Sequence, residues 1–104
     1  MIKCFVIEGE SMRPALREGD VIVACGLKRH PRVGEVLVFR APLDGRVVVH
    51  RVAHALDSAV VTRGDANAYA DPHVIDLDQI IGVVKLAIPW LGRFLYPLRK
   101  VRPA

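Results

Sequence analysis

Residues 46–63 read RVVVHRVAHALDSAVVTR, and this stretch decides the fold. Two valine-rich runs, Arg46–Ala55 and Ala59–Arg63, flank the polar turn Leu56-Asp57-Ser58. β-Branched side chains crowd a helical turn but fit a pleated surface, so the pair reads as an antiparallel hairpin. Alternation puts Val48 and His50 on one face of the first strand and Val47, Val49 and Arg51 on the other.

The same pattern extends outward in both directions. Ile2–Ile7 is a β-like run ended by Glu8-Gly9-Glu10, and Val21–Cys25 follows the turn Glu18-Gly19-Asp20. Glu35–Arg40 comes after Pro31 and Gly34, and Ile80–Ile88 closes the series. Only Ser11–Leu16, as a single turn, and Trp90–Val101 have helical character. The expectation is an all-β fold, a small barrel or packed antiparallel sheets, with a one-turn helix at Ser11 and a short C-terminal helix. With 104 residues, no repeat and no internal linker, one domain over residues 1–104 is expected, residues 90–104 forming a basic aromatic tail.

Composition narrows the function classes. Hydrophobic residues make up 52% of the chain, which argues against disorder. Fifteen Lys and Arg against eleven Asp and Glu give a net charge of +4. The acidic residues stop at Asp78, whereas Lys85, Arg93, Arg99, Lys100 and Arg102 follow, interleaved with Trp90, Phe94 and Tyr96. Such a segment suits an anionic surface, so peripheral membrane contact through residues 85–102 is expected; the plainer reading is a solvated tail packed by its aromatics. The strands carry few aromatics and no stacking platform, so no nucleic-acid partner is expected.

Lys85, Pro89, Arg93 and Pro97 interrupt the longest apolar stretch, Ile80–Leu98, which makes it a poor membrane span. Met1–Ile7 is too short for the apolar core of a signal peptide. The compartment expected is membrane-peripheral or cytoplasmic. Cys4 and Cys25 are too few for a zinc motif, and each behaves in its apolar run as a small hydrophobe.

Four segments break the β pattern with residues that carry chemistry. In Gly9-Glu10-Ser11-Met12-Arg13-Pro14 a serine sits at the start of a turn, where backbone N–H groups point outward and suit an oxyanion. The plainer reading makes Ser11 an N-cap. His50 lies on a strand with apolar flanks, where a partly desolvated imidazole acts as a base near neutral pH; a lone histidine there is more often a packed residue. Thr62-Arg63-Gly64-Asp65-Ala66-Asn67 and then Asp71 supply carboxylates that orient a histidine or simply hold a loop.

The order of these segments resembles the catalytic core of the type I signal peptidase family and its relatives, the self-cleaving SOS-type repressors. The matching pieces are Gly9-x-Ser11-Met12-x-Pro14 with Leu16, Gly19-Asp20-Val21-Ile22-Val23, Gly34-Glu35-Val36-Leu37-Val38-Phe39, Val49-His50-Arg51-Val52, Thr62 to Asn67 and Ile80-Ile81-Gly82-Val83-Val84. Histidine at position 50, where the common bacterial form has lysine, is similar to the endoplasmic-reticulum and archaeal branch.

The resemblance implies a serine endopeptidase with Ser11 as nucleophile and His50 as general base, needing no cofactor and no metal. Asp65 and Asp71 match the family's acidic positions. One of them orients His50, with Asp71 preferred and Asp65 left to hold the loop. The implied oxyanion donors are the backbone N–H groups of Ser11 and Glu10, since Gly9 stands where many members place a hydroxyl. Gly9, Met12 and Pro14 are the implied substrate contacts. The implied partner is a polypeptide, a signal peptide or precursor protein cut after small residues.

Two other readings compete. His50, His54, His73, Asp65 and Asp71 are metal-ligand types, but His50 and His54 stand roughly 13 Å apart on a regular strand and do not share an ion. A non-catalytic binding module on a degenerate protease fold is the second.

Overall fold

The computed structural model describes residues 1–89 and the backbone of residues 99–101. The described strands are β1 (Ile2–Ile7), β2 (Val21–Cys25), β3 (Val36–Arg40), β4 (Val47–Ala55), β5 (Ala59–Arg63), β6 (Ile75–Asp76), β7 (Ile80–Ile88) and β8 (Arg99–Val101). One short 3-10 turn, Leu77–Gln79, joins β6 to β7. The fold is all-β, and its strands form one continuous sheet in the order β6-β5-β4-β3-β7-β2-β1-β8. All neighbours are antiparallel except β1 and β8.

The sheet covers two apolar clusters, and strand alternation explains both. Leu37 and Phe39 of β3 and Val48 and Val52 of β4 join Val60, Ile75 and Val83. Their chain neighbours, Val38 and Val49, join Phe5, Ile7, Met12, Leu16, Ile22 and Ala24. β3 and β4 are therefore covered on both faces, which is why they read as nearly unbroken apolar runs.

The 46–63 stretch forms the expected hairpin, closed by Leu56 N–H donating to Ala59 C=O at 2.9 Å. Its register shifts between Val52 and His54, so the regular spacing assumed between His50 and His54 does not hold. The residues from Ser11 to Leu16 form successive turns, not a helix. Leu16 N–H reaches Met12 C=O at 2.9 Å and Arg13 N–H reaches Glu10 C=O at 3.1 Å, while Pro14 has no N–H to extend the series.

The short helix expected over Trp90–Val101 falls mostly outside the described residues. Where the chain is described, Arg99–Val101 is a strand that pairs in parallel with Phe5–Ile7. The edge of β1 offers unpaired backbone groups to that segment, and pairing there overrides a weak helical preference. Trp90, Phe94, Tyr96 and the side chains of the basic tail beyond Pro89 also lie outside the described residues.

Candidate active site

Ser11 sits on the excursion between β1 and β2. Two backbone bonds close its neck, Ile7 N–H to Asp20 C=O at 2.8 Å and Gly19 N–H to Ile7 C=O at 2.9 Å. Inside the loop, Met12 and Leu16 are buried in the first cluster and pin the chain on either side of the turn. Ser11 itself stays partly exposed.

β4 carries His50 to the same place. Its side chain is almost fully buried, and its ring meets Phe39 edge-on with centroids 6.2 Å apart. Ser11 Oγ and His50 Nε2 are 3.1 Å apart. On the far side of the ring, His50 Nδ1 lies 2.5 Å from Asp71 Oδ2. A carboxylate accepts only, so the shared proton sits on Nδ1, and this leaves the Nε2 lone pair for the Ser11 hydroxyl.

Asp71 is held in turn by Thr62 of β5. The Thr62 hydroxyl donates to Asp71 Oδ2 at 2.7 Å, and Asp71 N–H donates to Thr62 C=O at 2.8 Å. Burial works against a charge on Asp71 and is the largest influence on it. Hydrogen bonds from His50 and Thr62, with the charge attraction of His50, outweigh that burial and hold the carboxyl below the usual carboxylate range.

Asp65 does not meet His50. Arg51 grips it through two parallel bonds, Nε to Oδ1 at 2.9 Å and an Nη to Oδ2 at 2.8 Å, and also donates to Gly34 C=O at 2.7 Å. The grip ties the 64–67 loop to β4, and Ala66 N–H then donates to Ser11 C=O at 2.7 Å. Gly64 fills the remaining gap. A Cβ there would stand 2.8 Å from Ser11 O, 3.0 Å from His50 Nε2 and 2.7 Å from Asn67 Nδ2, so the loop approaches the pair this closely only with glycine.

Among the described residues, the backbone N–H groups of Glu10 and Ser11 have no hydrogen-bond partner. Gly9 has φ near +87° and donates its N–H to Glu18 Oε2 at 3.3 Å. Pro14 is exposed, whereas Met12 is fully buried and offers no side-chain surface to a substrate. A recess of about 180 Å³ lies on the His50 and Asp71 side of the site, lined by Phe39, Val48, His50, Asp71, Pro72 and Ile75. No three His, Cys, Asp or Glu among the described residues are grouped to hold a metal ion. Cys4 and Cys25 are both free thiols.

This geometry stands beside a clear sequence relationship. The chain is 37% identical to the signal peptidase complex catalytic subunit SEC11 of Yarrowia lipolytica, across 84% of this chain and 58% of that protein. The SEC11 subunits of Saccharomyces cerevisiae, at 31%, and Eremothecium gossypii, at 30%, match across 84% of this chain and 60% of their own length. The chain is similar to the catalytic subunits of the type I signal peptidase family. It spans about three fifths of the length of these relatives. No family model matches the chain, and no solved structure does.

Three residues gain a place that sequence reasoning had not given them. Arg51, Thr62 and Gly64 all lie in the segments that carry the resemblance. Thr62 is a polar residue within an apolar strand run, and that signal was available. Gly64 reads as half of a turn pair, and nothing in its neighbours announces the close approach to Ser11 and His50.

Proposed function

We propose that this chain is the catalytic core of a serine endopeptidase that cuts signal-peptide-like or precursor segments after small residues. The observation that carries this reading is the hydrogen-bonded series Ser11 Oγ, His50 Nε2, His50 Nδ1 and Asp71 Oδ2. In it, His50 takes the proton as Ser11 Oγ attacks the scissile carbonyl. Asp71 holds the imidazole in the required tautomer and stabilises the imidazolium that forms. His50 then passes the proton to the leaving amine, an acyl ester remains on Ser11, and water activated by His50 releases it.

The N–H groups of Glu10 and Ser11 are the donors for the developing oxyanion. The substrate is an extended polypeptide, and Gly9 and Pro14 border its approach. Asp65 serves as the anchor of the 64–67 loop, and no chemical step passes through it. The chain acts at an anionic lipid surface, to which exposed Ile2, Lys85 and Leu86 and the basic aromatic tail contribute contacts.

The test is cleavage of a peptide library rich in Ala-x-Ala sites by wild type and Ser11→Ala, with and without anionic vesicles. Cuts after small residues that vanish in folded Ser11→Ala are expected, as is faster cleavage with vesicles. Undiminished cleavage by Ser11→Ala would overturn the mechanism. Absence of cleavage by the wild type under both conditions favours the binding-module reading.

A further inference from the structure

We infer that Thr62 is a positioning residue that fixes which oxygen of Asp71 meets His50; this rests on the Ser-His-Asp reading above. Asp71 Oδ2 accepts from both His50 Nδ1 and the Thr62 hydroxyl, at 2.5 and 2.7 Å. Thr62 is fully buried, one residue before the end of β5, where Val52 of β4 is its register partner. Its hydroxyl is thus held by the sheet itself, whereas Asp71 stands on the irregular segment between β5 and β6 and is only partly buried.

A carboxylate on a loop turns about its side-chain bonds, and each turn exchanges its oxygens or withdraws both from the imidazole. Thr62 blocks this motion twice. Its C=O holds the Asp71 backbone, and its hydroxyl holds the side chain at the very atom that receives Nδ1. A donor from a rigid strand therefore fixes the carboxylate, the carboxylate fixes the ring, and the ring keeps Nε2 on Ser11.

Valine has nearly the shape of threonine but no donor, so Thr62→Val removes the hydroxyl bond and leaves the backbone bond intact. Asp71 then spends part of its time turned away, the imidazole is less well aligned, and its protonated form loses support. In Thr62→Val the account expects kcat to fall on the order of tenfold or more with KM unchanged. It also expects the NMR signal of the His50 Nδ1 proton to lose its downfield, exchange-protected position as the bond to Asp71 loosens. Thr62→Ser, which restores a hydroxyl at the same backbone, should return both.

The Nδ1 proton signal reads positioning in the folded protein without needing proteolysis, whereas Ser11→Ala tests the protease reading in the cleavage assay. Undiminished cleavage by Ser11→Ala therefore sinks the protease reading and leaves the Nδ1 signal to judge Thr62. A folded Thr62→Val whose Nδ1 proton signal matches wild type, or whose change Thr62→Ser does not reverse, would overturn the positioning role.

Discussion

At the residue scale, the site depends on short distances that tolerate little added volume. Gly64 packs against both Ser11 and His50, and Gly64→Ala must push its methyl into Ser11 O or His50 Nε2. Kinetic assay of Gly64→Ala should show kcat reduced about a hundredfold, the scale of a misalignment near one ångström. Wild-type kcat in that variant would mean the loop yields freely. Ser11 and His50 drew attention because each polar residue interrupts an apolar pattern, whereas the preference for Asp71 rested on the family resemblance. Gly64 was not legible and Thr62 showed only as a polar residue in an apolar run, since their contacts with Ser11 and Asp71 reach across 53 and 9 positions of chain.

At the element scale, the hairpin of β4 and β5 presents His50 and Thr62, while the segment between β5 and β6 brings in both Asp71 and the brace on Ser11. Arg51 and Asp65 join these parts through a bidentate pair, one member of which is partly open to water. Asp65→Asn should lower stability in urea unfolding by about 1 kcal/mol, the upper end for such exposed pairs. It should slow cleavage by loosening the Ala66 bond to Ser11, and Arg51→Lys, lacking the planar fork, should lower both stability and rate in the same way. The strands were readable from their Val and Ile runs to within one residue at most ends. β6 has two residues and β8 three, too short for any periodicity to show, and both exist because a neighbouring edge needed a partner.

At the scale of the whole molecule, two clusters share β3 and β4, so damage to one side reaches the site through the strand that carries His50. Phe5 is fully buried in the first cluster, and Phe5→Ala should cost about 3–5 kcal/mol in denaturant unfolding. Acid should weaken the fold by a second route. Hydrogen bonds from Arg29, together with one from Arg32 N–H and the charges of Arg29 and Lys85, outweigh burial and hold Glu35 at about 2, against its ordinary 4.5. Asp71 is lowered as well. A carboxyl depressed in the folded chain contributes stability in full above its unfolded value and loses it as pH falls toward the folded one. Urea midpoints should therefore drop between pH 4.5 and 2, and Glu35→Gln should flatten part of that drop. A parallel fall in Glu35→Gln would assign the acid sensitivity elsewhere. The all-β class was visible in the sequence, but the choice of a single continuous sheet was not, because local patterning does not say that β7 pairs with both β2 and β3.

The central claim is that Ser11 and His50 act as one catalytic unit, and a mutant cycle tests it most directly. We would measure kcat/KM on one Ala-x-Ala peptide for wild type, Ser11→Ala, His50→Ala and the double variant, each verified as folded. Groups that share one step are lost together, so the double variant should be no slower than the worse single variant. Losses that multiply, or a single variant that keeps wild-type rate, would contradict the account.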